Sequence, residues 1–331
     1  MQNLKSSNAK RRKLLYYLYY TPMVYFFPSL VSRLKLRNIL KNNNQHEEYI
    51  DSRVKYYFKK TSNFKVSKKA KNLSELFWNQ FFKNKQNSHF IDFYLLLQFF
   101  KKKNKVDFVY SSKKYIDSVV AKKHPPYPTF VKSRPINNEN QNSILLKLNQ
   151  VKLFHFISDY KKFENKKNKA VWRGDIRNNS SREYFVKNFY KSPLLDIGQT
   201  SPKQKVPWMK NFMSIKDQLD YKFIFCIEGK CISTNLFWTM SSNSICVMPK
   251  PKYESWFMEG KLRDEVHYIQ VKDDFSDAEE KIEFYKHKND KCLEIIDNAN
   301  KFVEQFKDKK RERLIQLLIL KQYFELTGQY E

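Results

Sequence analysis

The stretch YKFIFCIEGKCISTNLFWTMSSNSICVMP, residues 221–249, decides the fold. Its first segment, YKFIFCIEG (221–229), is an almost unbroken apolar run closed by a glycine turn, the pattern of a strand buried on both faces. TNLFWTMSS (234–242) has helical spacing, and ICVMP (245–249) is a second apolar strand. Two buried strands joined through a helical segment make a βαβ unit and imply a parallel sheet. The same alternation extends outward. KAVWRG (169–174) and LLDIG (194–198) read as strands flanking a helical SREYFVKNFY (181–190), and HYIQV (267–271) as a further strand. Ser276–Asp277–Ala278–Glu279 has the form of a capping box opening a helix from 277. Residues 290–307 are amphipathic, and RERLIQLLILKQYFEL (311–326) is a terminal helix.

The part before residue 165 is different in kind. Residues 1–150 carry 30 basic and 8 acidic side chains, against 33 and 26 over 151–331, within a chain of 331 residues and net charge +29. An excess this one-sided calls for an anionic partner: nucleic acid, an anionic membrane or an anionic small molecule. Five glycines in the whole chain argue against a glycine-dense phosphate loop. Cys226, Cys231, Cys246 and Cys292 lack the density and spacing of a disulfide or zinc framework and read as small core residues. Lys10–Lys13 precede the uncharged run LLYYLYYTPMVYFFPSLV (14–31). Pro22 and Pro28 break a helix, and five tyrosines prefer an interface to hydrocarbon, so this segment suits an anionic membrane surface, or a first helix packed into the N-terminal domain, better than a span or a cleaved leader. The aromatic-rich stretch 75–100 reads as core, VDFVYSS (106–112) as a strand, and KKHPPYPTFVKSRP (122–135) as a Pro-studded basic loop. Asn42–Asn44 mark another loop, and the hydrophilic connector at 160–169 is the natural boundary. This gives a basic first domain (1–165), a second domain (166–305) and a terminal helix (306–331).

Ligands of parallel α/β sheets lie beyond the carboxyl ends of the strands. Arg173, Gly174, Arg177 and Arg182 cluster after the first strand of the second domain, where guanidinium forks match the oxygens of a diphosphate. The strings VWRG (171–174), DQLDYKFIFCIEG (217–229), NLFWTMSSNSICVMPKPKYESWFMEG (235–260) and VHYIQVKDDFSDAEEKIEF (266–284), with FVKSRPI (130–136) upstream, resemble the family 90 glycosyltransferases in order and spacing. That family includes lipopolysaccharide-modifying sugar transferases of bacteria, fungal capsule xylosyltransferases and animal protein O-glucosyltransferases. The KPKYESWFMEG segment points to the bacterial branch. Heavy use of Lys, Asn, Ile and Phe is the composition of an AT-rich bacterial genome.

The resemblance implies a GT-B-like fold: two Rossmann-like domains facing a cleft, with the terminal helix packing back across it. It implies transfer of a hexose, glucose or galactose before xylose, from a UDP-sugar to a phosphorylated, lipid-linked glycan such as a lipopolysaccharide core. Inversion without a bound metal or other cofactor is expected, on the cytoplasmic face of the inner membrane. By the same resemblance, Arg173, Gly174, Arg177 and Arg182 face the donor phosphates. Lys222, Gly229, Asn235, Ser242, Asn243, Ser244, Glu254, Trp256 and Glu259 complete the donor site, with His267 and Tyr268 in a following motif. Lys132, Ser133 and Arg134 form the upstream acceptor motif. Animal members carry an Asp base beside the arginine of a T-R-D-type motif, but Pro135 follows Arg134 here. The base is therefore sought nearer the donor motifs, and Asp159 and Asp175 are the candidates. Asp273, Asp274 and Asp277 have the wrong spacing for a metal-binding DxD. Two other readings fit the charge: a nucleic-acid-binding protein, without a recognisable binding motif, and an inactive membrane-surface scaffold.

Overall fold

The computed structural model describes residues 7–26, 32, 35–36, 38–39, 47–76, 88–108, 125–137 and 139–330. The expected loop at 42–44 and parts of four expected segments (27–31, 77–87, 109–112 and 122–124) lie outside them. Down the chain the elements are α1 (Ser7–Phe26), α2 (Glu47–Tyr57), β1 (Lys71–Asn72), α3 (Ser88–Leu97), β2 (Lys105–Val106), β3 (Thr129–Val131), β4 (Ser133–Pro135) and β5 (Ser143–Leu145). There follow β6 (Lys167–Asp175), α4 (Ser180–Phe189), β7 (Leu195–Ser201), α5 (Ile215–Gln218), β8 (Tyr221–Phe225), α6 (Leu236–Thr239), β9 (Ile245–Pro249) and β10 (Tyr253–Ser255). The chain ends with β11 (Ile269–Val271), α7 (Ala278–Tyr285), α8 (Asn289–Glu304) and α9 (Lys309–Leu326).

These elements fall into two compact units. One holds Leu153–Lys252 and Phe257–Lys307; the other holds Ser7–Lys152, Tyr253–Trp256 and Asp308–Glu331. The 160–169 connector is thus inside the first of these rather than at a boundary. Phe163 is buried edge-on to Phe223 of β8, and Lys166 is ion-paired to Asp159 at 2.7 Å, which ties residues 153–166 to the sheet.

The sheet unit is built on five parallel strands in the order β11-β9-β8-β6-β7. All of β8 and the first four residues of β9 are buried, as their unbroken apolar runs require. Trp172, Ile197, Phe223, Phe225 and Val247 pack with Phe185 of α4 and with Cys292, Ile295 and Ile296 of α8 in one core. The α8 residues recur at one-turn spacing and form the buried stripe of an amphipathic helix. Asn179 caps α4, its side chain accepting from Arg182 N at 2.8 Å. A capping box forms at Ser214 and Asp217 of α5. None forms at Ser276–Glu279: Ser276 N donates to Asp274, Asp277 accepts from Lys272 N, and Glu279 accepts from Ser192. All four cysteines are buried and outside any disulfide.

The second unit is mainly helical. Among the described residues it carries three two-stranded pairs, β1–β2, β3–β5 and β4–β10, and no second doubly wound sheet. The terminal helix belongs to this unit. Asp308 accepts from the amides of Lys310 and Arg311 at its start, and it buries Leu314, Ile315, Leu317, Ile319, Leu320, Tyr323 and Phe324. Pro22 sits inside α1 instead of ending it. Among the described residues no helix is long and apolar enough to cross a membrane.

Candidate functional site

Strand order locates the site in the sheet unit. From β6 the chain moves outward to β7, then returns to the other side of β6 with β8 and continues through β9 to β11. The direction reverses between β6 and β8. In sheets of this order the crevice beyond the carboxyl ends of those two strands is where ligands bind. Gly174, Asp175, Arg177 and Arg182 come to it from the β6 side, Glu228, Gly229 and Asn235 from the β8 side.

Arg182 closes the base of the crevice. Its Nη1 donates to Asp175 O at 3.1 Å, Nη2 to Ile227 O at 2.7 Å and Nε to Glu228 O at 3.1 Å. Its guanidinium also lies 5.8 Å from the Trp172 ring centroid. A Cβ at Gly229 would stand 3.2 Å from Arg182 Nη2, and one at Gly174 would run into the Trp172 indole. Packing therefore requires glycine at 174, while a side chain at 229 would need the Arg182 guanidinium to shift by a few tenths of an ångström. Asn235 Nδ2 donates to Phe225 O at 2.8 Å and holds the end of β8. Arg182 and Asn235 are thus committed to backbone, whereas the side chains of Arg177 and Asp175 are partly exposed. Arg177 is 61 % exposed and holds Asp175 with two teeth, Nε lying 3.1 and 2.9 Å from its two carboxylate oxygens. The Arg177 amide donates to the same carboxylate at 2.9 Å. These bonds keep the Asp175 carboxyl below its usual range.

Arg173 turns away from this edge. Its Nη1 donates to Trp172 O and Asp196 O at 2.9 and 2.6 Å, and Nη2 to Asp196 Oδ1 at 2.7 Å. Asp196 also accepts from Lys210 Nζ at 2.7 Å and from Tyr221 OH at 2.5 Å. Burial alone would raise the Asp196 carboxyl, but the bonds from Lys210, Tyr221 and Arg173 outweigh it and hold the group below the ordinary aspartate range. Burial and the Asp196 bond push the Tyr221 phenol up to about 12. Arg173 lines a cavity of about 930 Å³ with Lys203, Lys205, Lys210, Phe212 and Asp217.

Several residues expected at the donor site lie elsewhere. Ser242, Asn243 and Ser244 precede β9 and so sit at the amino ends of the strands. There Asn243 N donates to Asp159 Oδ2 at 3.0 Å, Asn243 Nδ2 to Asp159 O at 2.8 Å and Ser244 Oγ to Tyr221 O at 2.8 Å. Asp159, one of the two candidate bases, is taken up by this knot and by Lys166 with 5 % of its side chain exposed. Lys222 begins β8 at the same end, its ammonium 4.7 Å from the Phe163 ring centroid. Glu259 is buried in a short turn. His267 Nδ1 accepts from Arg263 N at 3.0 Å, with its ring against Phe302, and Tyr268 is buried.

Glu254 and Trp256 belong to the helical unit. β10 pairs antiparallel with β4, setting Glu254 opposite Arg134 and Ser255 opposite Ser133. Arg134 is fully buried: Nε donates to Glu254 Oε1 at 2.7 Å, and its other nitrogens to the carbonyls of Tyr56, Tyr57 and Ser143. Trp256 stacks on Tyr57 at 3.9 Å and donates to Glu312, which also receives Arg53 at 3.0 Å and Lys147 at 3.3 Å. Trp256 has no exposed face to offer a sugar. Lys132 and Ser133 are buried in the same unit. These residues hold the unit together.

The model of glycosyl transferase family 90 matches residues 146–327, more than half of the chain. This chain belongs to glycosyltransferase family 90. It is 37 % identical over 278 residues to O-glucosyltransferase LpsA of Dichelobacter nodosus, covering 84 % of this chain and 83 % of that protein. It is also 26 % identical over 149 residues to protein O-glucosyltransferase 1 of Rattus norvegicus, covering 43 % of this chain and 38 % of the relative. The family 90 chain is accordingly a transferase, moving a sugar from a donor to an acceptor.

Two features of this family 90 member escaped the reading of its sequence. Asp196 and Tyr221 join Arg173 across three strands, a contact that strand register alone reveals. The cavity over Lys203–Phe212 left only one trace, the basic residues between Pro202 and Pro207. Among the described residues no group of three or more His, Cys, Asp or Glu is arranged to hold a metal ion.

Proposed function

We propose that the chain transfers a hexose from a UDP-sugar to a lipopolysaccharide core or a related surface glycan, with inversion and without a metal. The observation that carries this reading is the Asp175–Arg177 pair at the switch point of a parallel sheet. It sets an exposed guanidinium and a carboxylate together where a donor diphosphate would lie. Division of labour in the GT-B manner is part of this reading: the sheet unit takes the donor, and the basic helical unit takes the lipid-linked body of the acceptor. Glucose is the first choice of sugar because both named relatives are O-glucosyltransferases. Galactose is second and xylose third.

In this mechanism the diphosphate draws Arg177 off Asp175, since a phosphate offers the fork a stronger partner than an exposed carboxylate. Asp175 then loses the side-chain bonds from Arg177, keeping the bond from its amide, and gains basicity. It takes the proton of the acceptor hydroxyl as that oxygen attacks the anomeric carbon from the face opposite the leaving UDP. Arg177 neutralises the charge that builds on the UDP.

The membrane contact assigned to the first residues falls to α1. It exposes Leu14, Leu15, Leu18 and Tyr19 at 59, 55, 62 and 61 %. Lys10, Arg11 and Lys13 are exposed on the preceding turns. Apolar side chains beside cations suit a cytoplasmic leaflet carrying anionic lipid. The test is UDP release from UDP-Glc, UDP-Gal and UDP-Xyl in EDTA. Turnover of one donor, lost in Asp175→Asn, supports the reading; full turnover in Asp175→Asn removes Asp175 as base.

A further inference from the structure

We propose that the cavity beside β7 binds a phosphorylated sugar at a site separate from the donor crevice. The inference rests on the transferase reading and supplies its acceptor with a phosphate contact. Three observations support it. The cavity is about 930 Å³, within the range of small-molecule sites and roomy enough for a sugar with its phosphate. Four cations line it, Arg173, Lys203, Lys205 and Lys210. Two carboxylates face them: Asp196 holds Arg173 and Lys210, and Asp217 accepts from Ser214 Oγ at 2.7 Å. No ion pair of Lys203 or Lys205 is found among the described residues. Arg173, finally, has 7 % of its side chain exposed, and its Nε is buried without a hydrogen-bond partner. One donor of this guanidinium is thus unmet behind the wall of a cationic cavity, and its positive charge adds to the field that an anion in the cavity would meet.

The rest of the wall selects a sugar. Phe212 lines this cavity and is 67 % exposed, an aromatic side chain of the kind on which the C–H face of a pyranose can lie. Asn211 stands next to it and can bond hydroxyls. Asp196 positions the floor: with Arg173 and Lys210 on one carboxylate, both cations are fixed before a ligand arrives. Gly198 permits this, because a Cβ there would stand 2.6 Å from Lys210 Cγ.

The experiment is calorimetric titration of the full chain with glucose 6-phosphate, glucose and inorganic phosphate, repeated in saturating UDP. Glucose 6-phosphate is expected to bind at least tenfold tighter than either fragment, unaffected by UDP. Lys203→Ala/Lys205→Ala, two exposed-loop changes, is expected to weaken it at least tenfold, and Phe212→Ala to erase its advantage over phosphate. Absence of binding, displacement by UDP, or unchanged affinity in the double variant would each overturn the proposal. UDP-Glc hydrolysis by the unaltered chain is measured in parallel. Its failure tells against the transferase reading, whereas phosphosugar binding tests the cavity alone.

Discussion

Arg182 and Arg177 lie five residues apart and have opposite duties. Every nitrogen of Arg182 donates to a backbone carbonyl, joining the ends of β6 and β8, whereas Arg177 is exposed and holds only Asp175. Arg182→Ala leaves three carbonyls without a charged donor in a half-buried place and is expected to cost about 3 kcal/mol, read as a lowered urea midpoint. Lysine should restore less than half of this, since one ammonium cannot meet three carbonyls in a fixed fork. A loss below about 0.5 kcal/mol would remove Arg182 as the clamp, that being the size of an ordinary surface change. Arg177→Ala should leave stability within about 0.5 kcal/mol, because an exposed ion pair contributes little. Nothing in the string Asp175–Arg182 separates these two arginines. Their roles depend on where β8 ends beside β6, a neighbour relation fixed only by tertiary pairing.

At the scale of elements, the strands were legible because their chemistry is local: KAVWRG, LLDIG and ICVMP are apolar runs too short for helices and bounded by turns. The ends at which motifs lie were less so. Ser242–Ser244 follow a helix and precede a strand, which places them at the amino edge of the sheet, while the family motif alone suggested the ligand edge. Tyr253–Ser255 stand close in sequence to β9 yet pair with β4, about 120 residues earlier, a register no local pattern encodes. Pro22 was expected to end a helix, yet α1 continues through it.

Helix α1 is anchored to α3 by Tyr16 OH, which donates to Asp92 Oδ1 at 2.6 Å; Gln150 N donates to Asp92 Oδ2 at 2.9 Å. Burial pushes the Asp92 carboxyl up to about 7, against the bonds from Tyr16 and Gln150 that lower it. A carboxyl raised in the folded state binds its proton more tightly there than when unfolded. Its contribution therefore disfavours folding increasingly from about pH 4 to pH 7 and is constant above that. The urea midpoint should fall across this window, and Asp92→Asn should flatten the slope; equal slopes in both proteins would contradict the assignment. On the outer side of α1, Leu15→Ser/Leu18→Ser should reduce binding to vesicles containing phosphatidylserine about tenfold or more, as two leucines leave the bilayer interface. Sedimentation with vesicles measures it, and unchanged binding would move the membrane contact away from α1.

The whole molecule couples an ordinary parallel α/β unit, mildly basic, to a strongly basic helical unit. That asymmetry was readable from composition, as was the family from motifs in order. The form of the basic unit was not, because short strand pairs and a buried Arg53–Glu312–Lys147 network leave no periodic trace. In the proposed reading the β6–β8 crevice holds a nucleotide-sugar diphosphate on Arg177 without a metal. The most direct test of that reading is steady-state UDP release from UDP-glucose in EDTA by the unaltered chain and by Arg177→Ala. The account predicts turnover in EDTA that falls at least tenfold in Arg177→Ala, at least about 1.4 kcal/mol of lost transition-state stabilisation, with the fold intact. Turnover that requires an added divalent cation, or that is unchanged in Arg177→Ala, would contradict it.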